Sequence, residues 1–283
     1  MTSHVTPLPE PIVHQPRCEL PVLLSVPHSG RDYPGWLVAK SAHGRSSLAM
    51  LEDPLVDQLV WPAIERGFGA VIARTPRAAV DCNRAEDDVD PTVVEGTRPR
   101  RISARARGGL GIVPARTHHH GNLWRQPIPS EHLEQRLAQA HRPYHRQIER
   151  QLAGLVEHFG CALLIDCHSM PPPPPGVPPI IFGDCHGRSA GPWVSAEALR
   201  LARAAGYSAG LNEPFAGGHI VERHGSPRRD IHALQVEIDR RCYLNEKFDG
   251  PGGGFGQVAA LFEMLAVELG QLLLNRQIAT AAE

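Results

Sequence analysis

The sequence predicts an α/β protein, a three-layer sandwich in which helices cover a mixed, largely parallel sheet. Two observations predict it. Segments of strand character and segments of helical period alternate from residue 21 to the end. Polar residues able to do chemistry recur just after, or late in, the predicted strands, which is where open α/β sheets place their ligand sites.

The elements follow in chain order. Residues 1–20 are Pro-rich, lack periodicity and read as an N-terminal extension, with 21–283 as a single domain. Residues 21–26 (PVLLSV) form an apolar run of strand length, ended by Pro27-His28-Ser29-Gly30. Residues 53–66 carry a helical pattern, with Asp53 at a capping position, Pro54 in the first turn, and Leu55, Leu59 and Ile64 on the apolar side. Residues 70–73 and 78–82 read as two short strands. Residues 84–128, rich in Arg, Gly and Pro, read as mostly irregular, and loops of that length are usually functional or disordered. Ser130 is placed to cap a long helix reaching about His158. Leu133, Leu137, Tyr144, Ile148, Leu152 and Leu155 give its period, and Pro143 is expected to kink or split it. Residues 161–165 read as an apolar strand, and the prolines at 171–175 force an extended rim segment after it. Residues 179–182 read as a strand and 190–205 as a helix. Leu234, Val236 and Ile238 alternate with Gln235, Glu237 and Asp239, which is strand period. Residues 255–276 close the chain as an amphipathic helix.

Composition excludes several classes. The 283 residues are 42% apolar, and 29 Lys plus Arg balance 30 Asp plus Glu. A disordered chain needs lower hydrophobicity and a larger charge imbalance. A near-neutral chain is not built mainly to coat nucleic acid or an anionic membrane, so neither is expected as a partner. No clean apolar run approaches the roughly 18 residues of a membrane helix. The first residues lack a basic region followed by an apolar core, so no secretory signal is expected. Six cysteines without a CxxC pair argue against a disulfide framework and against a zinc knuckle, and point to the cytoplasm.

Four groups sit where chemistry is expected: His28 after the strand 21–26, Asn83 and Arg84 after 78–82, Asp166 and His168 at the end of 161–165, and Glu237 within 233–239. Two histidines, carboxylates, an arginine and an asparagine suit metal-assisted hydrolysis. A catalytic zinc takes about three protein ligands and keeps a position for water. A further Glu takes that water's proton, and an Arg holds an oxyanion or a substrate carboxylate. Asp53 has two readings at this point, helix cap or ligand, and Glu52 beside it is the alternative carboxylate.

Other clusters read differently. His118-His119-His120 is a loop, because adjacent residues of extended chain face opposite sides. Arg98, Arg100, Arg101, Arg105 and Arg107 have no interleaved aromatics and read as a solvated loop or an anion contact. His186 reads as rim, and Cys167 as a poor nucleophile partner for its neighbour His168.

The ordered segments Ser25-Val26-Pro27-His28-Ser29-Gly30, Glu52-Asp53 with Asp57, Val80-Asp81-Cys82-Asn83-Arg84 and Gly109-Leu110-Gly111 continue with Asp166-Cys167-His168-Ser169-Met170-Pro171 and Phe182-Gly183-Asp184. Phe215-Ala216-Gly217-Gly218-His219-Ile220 through His224-Gly225, then Leu234-Gln235-Val236-Glu237-Ile238 with Tyr243, complete the set. Together they resemble the N-formylglutamate amidohydrolase family over residues 21–245. The resemblance implies a fold similar to zinc carboxypeptidases (phosphorylase/hydrolase-like), one zinc ion, and cleavage of N-formyl-L-glutamate to formate and L-glutamate, a step of histidine degradation. It implies His28, His168 and Asp53 or Glu52 as ligands and Glu237 as general base. It implies Asn83 and Arg84 as the grip on a substrate carboxylate or carbonyl oxygen, with Gly217, Gly218, His219 and Arg223 lining the substrate side. Cys82 stands where the family often has Leu, and the Pro171–Pro175 run and the Arg-rich stretch 98–107 are particular to this chain.

Overall fold

A computed structural model describes residues 7–97, 102–117 and 119–281. Arg98, Arg100, Arg101 and His118 of the clusters above lie outside the described residues. In chain order the strands are β1 (Ile12–His14), β2 (Val22–Val26), β3 (Gly69–Ile72), β4 (Val94–Glu95), β5 (Arg116–Thr117), β6 (Gly121–Asn122), β7 (Ile128–Pro129), β8 (Ala162–Met170), β9 (Ile180–Gly183), β10 (Ala209–Leu211) and β11 (Ile231–Asp239). The helices are α1 (Gly35–Lys40), α2 (Arg45–Ala49), α3 (Val56–Leu59), α4 (Trp61–Glu65), α5 (Ala104–Arg107), α6 (Ser130–Arg136), α7 (Arg142–Phe159), α8 (Pro192–Ala204), α9 (His219–His224) and α10 (Phe255–Ala281).

The chain divides into two compact units. The first is built from the segment ending at Ile12, Pro27–Glu52 and Ile72–Arg146; the second from Val13–Val26, Asp53–Val71 and the chain from Gln147 onward.

The second unit carries a seven-stranded sheet in the order β1-β3-β2-β8-β11-β9-β10. β2, β8 and β11 run parallel, β9 returns antiparallel to β11, and β10 is parallel to β9, so the sheet is mixed and largely parallel. All nine residues of β8 and eight of the nine in β11 are buried, so both faces at the sheet's centre are covered, as the apolar runs of parallel sheets require. The register pairs Ser25 with Asp166, Gln235 with Asp166 and Glu237 with His168. Paired residues of parallel strands share a face, so these polar side chains leave the sheet on one side. β1, within the segment read as an extension, adds the edge strand.

Helix α10 packs on β8, α3, α4 and α8. Its window Phe255–Ala279 is long and apolar enough to cross a membrane (mean hydropathy 1.5), but half of it is buried inside the protein, which is the environment of a core helix.

The first unit has little regular structure. Its core gathers Leu37, Leu48, Val80, Ile112, Leu123 and Leu137 with their neighbours. Arg136 is buried there between Trp36 and Trp124, at 5.1 and 5.6 Å from the ring centroids, and donates from Nη1 to the Ala79 carbonyl. Burial pulls its pKa down to about 10.

Three local expectations change. Residues 53–66 form two short helices, not one, and the N-cap of α3 is Leu55 at φ 61°, with no side-chain cap. Residues 78–82 are turns: Ala79 N–H donates to Pro76 and Asp81 N–H to Ile112, so the backbone is satisfied without a ladder. The run 130–159 is helical throughout but passes through a π-turn at Leu137–His141, immediately before Pro143. A π-turn accommodates one extra residue, which answers the proline without breaking the helix. Ser130 is its first helical residue, after Pro129 at the N-cap, and caps nothing.

Candidate active site

The second unit's site is built on the face shared by β8 and β11. Asp166 and His168, two apart in a strand, project to the same side. His168 Nε2 lies 2.9 Å from Asp166 Oδ2 and Nδ1 lies 3.0 Å from Asp53 Oδ2. Both nitrogens of a buried ring therefore face carboxylates. Burial works against a charged imidazole here, yet Asp166 and then Asp53 outweigh it and hold His168 protonated well above its ordinary range. Ser25 Oγ donates to the other oxygen of Asp166 at 2.7 Å, which fixes that carboxylate. Asp53 is not a helix cap. Its second oxygen accepts from Arg240 Nη2 at 3.3 Å, and Arg240 Nε donates to Ser169 Oγ. The Tyr243 hydroxyl donates to the Pro54 carbonyl at 2.7 Å and pins the segment that carries Asp53.

Glu237 stands opposite His168 in the ladder, is buried, and accepts from Gln235 Nε2 at 2.9 Å. Its charge also supports protonated His168. An imidazole nitrogen and a carboxylate oxygen that share a proton in a buried site have the donor chemistry of zinc, with Asp166 as the outer partner that orients the ring.

Gly217 and Gly218 precede α9. Gly217 has φ +119°, and a Cβ there would lie 2.8 Å from Val221 Cγ2 and 2.9 Å from Cys185 Sγ. A Cβ on Gly183 would meet the Gly217 nitrogen at 2.6 Å, so the two backbone segments touch. Gly217→Ala is expected to destabilise by about 1–3 kcal/mol through forced positive φ and contact. Urea unfolding checks this, and an unchanged midpoint would show that the loop relaxes freely. Gly218 is the N-cap residue of α9 and His219 its first residue, half-buried. Arg223 points outward and pairs with Glu149, Nη2 to Oε1 2.8 Å.

The first unit organises its residues around Asp81, which has no exposure. Asp81 Oδ1 lies 2.7 Å from His28 Nε2 and accepts from the Asn83 N–H at 2.8 Å; Oδ2 accepts from Arg77 Nε at 2.8 Å. Burial would raise its pKa, but Arg77, then His28 and Arg84, hold the carboxyl well below the usual range. A carboxylate on Nε2 makes that nitrogen the donor and leaves Nδ1 of His28 as the Lewis base. His28 itself is the second residue after β2, the neighbour of β8.

Arg84 is fixed by carbonyls. Its Nε donates to Leu110 and its Nη1 to Asn83, both at 2.7 Å. Burial, partly offset by Asp81, lowers its pKa to about 10. The turn carrying Asn83 and Arg84 is held from behind by two buried imidazoles: His145 Nε2 lies 3.0 Å from the Cys82 carbonyl and His141 Nε2 2.9 Å from the Arg84 carbonyl. Glu52 accepts from the Tyr33 hydroxyl at 2.5 Å, so the neighbours Glu52 and Asp53 serve different partners.

Arg240, Arg77, His141 and His145 carry no local signal in the sequence. Arg240 follows Glu237 by three residues with no pattern to mark it, and the two histidines looked like helix residues among apolar ones. The clusters set aside stay outside both arrangements. Arg105, Arg107 and His119 are exposed, and His186 is exposed at φ 56°. Burial, then Asp166, pushes the Cys167 thiol well up, which keeps it un-ionised and a poor nucleophile.

Residues 20–244 match the family model described as N-formylglutamate amidohydrolase. An N-formylglutamate deformylase of Pseudomonas putida is 34% identical over 242 residues, covering 82% of this chain and 84% of that protein. An N-formylglutamate deformylase of Pseudomonas aeruginosa is 32% identical over 239 residues, covering 82% and 85%. The crystal structure of N-formylglutamate amidohydrolase from Ralstonia eutropha JMP134 matches with a TM-score of 0.85 at 26% identity, over 93% of this chain and 98% of that one. With the family model spanning most of its length and two relatives above 30% identity, the chain belongs to the N-formylglutamate amidohydrolase family.

Proposed function

We propose that this protein hydrolyses the formyl amide of N-formyl-L-glutamate, giving formate and L-glutamate, and that it does so with one zinc ion held by His28, His168 and Asp53. The observation that carries the reading is the buried His168 ring, set between Asp166 and Asp53 with Glu237 opposite it in the sheet. Asp53 is preferred to Glu52 as the third ligand because its carboxylate already faces an imidazole, whereas Glu52 is engaged by Tyr33. The relatives named as deformylases support the substrate.

Zinc in such a set supplies Lewis acidity, acidifying water and polarising an acyl carbonyl. The remaining work belongs to side chains. Asp81 and Asp166 orient the two histidine rings. Glu237 takes the proton of the attacking water and returns it to the departing amine. Asn83 and Arg84 grip the glutamate carboxylates or the carbonyl oxygen; a guanidinium braced by two carbonyls is pre-organised for an anion. Gly217, Gly218 and His219 line the substrate side, with Arg223, paired to Glu149, on the same short helix as His219. A sheet that carries its polar residues on one face of adjacent parallel strands supports the likeness to zinc carboxypeptidases. Six free cysteines support a cytoplasmic setting.

The test is formate release from N-formyl-L-glutamate by protein stripped of metal with a chelator and then restored with zinc. Loss on stripping and recovery on restoration are expected. Zinc bound stoichiometrically without formate release removes the substrate assignment and leaves the metal site. No zinc binding removes the ligand set.

A further inference from the structure

We propose that the second unit carries a binding site for a small α-amino acid, in the cavity between the N-terminus of α8, the start of β11 and the last turns of α10, apart from the residues assigned to hydrolysis.

The cavity has a volume of about 210 Å³, and its walls include Gly191, Trp193, Asp230, His232, Leu273 and Arg276. Pockets for drug-sized ligands run to about 300–1,000 Å³, so this one admits something smaller. Its place separates it from the hydrolytic residues. His232 comes five residues before Glu237 in β11, an odd separation that turns the two side chains to opposite faces of the sheet. At about 3.3 Å per residue they are about 17 Å apart along the strand.

Three observations give the ligand its chemistry. First, His232 is only 3% exposed, and its Nδ1 accepts the Gly191 N–H at 3.0 Å. A ring nitrogen that accepts from an amide carries no hydrogen, so Nε2 carries the hydrogen and is a donor. Nε2 has no hydrogen-bond partner among the described residues and the ring lines the cavity, so a ligand acceptor completes this buried donor. Burial lowers the His232 pKa, Asp230 opposes it and Arg276 adds to it, which keeps the ring neutral and its tautomer fixed. Second, the same wall is positive. Gly191 is the N-cap of α8, a helix of 13 residues whose N-terminus has no side-chain cap, so the positive end of its dipole lies there. The Trp193 indole meets the His232 ring edge to face at 5.0 Å, and a Cβ on Gly191 would come within 2.7 Å of its Nε1. The Arg276 guanidinium stands 4.8 Å from the indole centroid. These groups make a seat for a carboxylate. Third, Asp230, exposed, lines the same cavity and supplies the opposite charge. A lone anion meets repulsion from Asp230, and a lone cation meets it from Arg276 and the helix end. A zwitterion satisfies both, with its carboxylate on His232 and its ammonium on Asp230, and Leu273 and the indole take a small side chain.

The test follows the indole N–H resonances of full-length protein carrying ¹⁵N-labelled tryptophan. The chain has four tryptophans, and Trp193→Phe identifies the resonance of interest. L-Alanine is expected to shift it saturably in wild type. Propionate, which is alanine without its ammonium, and ethylamine, which is alanine without its carboxylate, are each expected to bind about tenfold more weakly, the worth of one hydrogen bond to a charged group. His232→Asn keeps an acceptor for the Gly191 N–H and deletes the Nε2 donor, and it is expected to weaken alanine binding about tenfold. Asp230→Asn, at an exposed position with φ 53° that Asn tolerates as Asp does, is expected to reduce alanine to the affinity of propionate. It carries the test if His232→Asn fails to fold. No saturable shift with L-alanine would overturn the site. Propionate binding wild type as tightly as alanine would overturn the amino-acid class, and alanine binding unchanged in the variants would overturn the residues named. No arm reads formate, so this inference and the proposed deformylase activity stand or fall separately.

Discussion

Replacing Glu237 by Gln is expected to lower kcat for formate release by about 10³-fold, within the range attributed to a positioned general acid–base. The substitution keeps the size and the sheet. Glu237 is buried in the middle of the ladder, opposite His168, and its Oε1 already accepts a hydrogen bond from Gln235 that a Gln amide oxygen can keep. What disappears is the ability to take a proton. KM and zinc content are therefore expected to change little, and the pH dependence of kcat should lose one limb. Turnover retained with zinc bound would remove Glu237 from the proton-transfer role.

His168→Ala is expected to be larger in scope, because it strikes the proposed metal centre and the fold together. Zinc affinity should fall by more than tenfold and formate release should drop to background. The metal-free protein should also lose about 3–5 kcal/mol, the cost of leaving buried charge without its partner. Asp166 retains Ser25 and Asp53 retains Arg240, so the loss should fall toward the lower end. Chemical unfolding of chelator-treated protein separates this from the loss of metal. A variant that binds zinc like wild type and turns over normally would sink both the ligand assignment and the account of the buried ion pair.

Much of the sheet was legible in the sequence because its evidence is local. Residues 21–26, 161–165 and 233–239 announce β2, β8 and β11 by apolar runs or strict alternation, and the chemistry-bearing His28, Asp166, His168 and Glu237 lie at or near their carboxyl ends. The failures share a cause. Residues 78–82 look like a strand, but Asp81 is tied to His28, Arg77 and the Asn83 amide, and this side-chain anchoring makes a turn. Asp53 carries two readings in the sequence, cap or ligand, and only His168, distant in sequence, shows what its carboxylate faces. Arg240 and the pair His141–His145 gain their meaning only from partners 57 or more residues away, which no local pattern encodes.

The π-turn has a consequence for comparing this chain with its relatives. One surplus residue within a continuous helix shifts the phase of everything downstream by about 100°. A relative that is one residue shorter between Leu137 and His141 would keep the helix, the proline and the direction of the chain, yet present a different side of it. An aligner would record a single gap there as noise. In this molecule that gap would decide which side chains meet the carbonyls of Cys82 and Arg84, so a one-residue length difference at this point is a marker of site composition that substitution counts would miss.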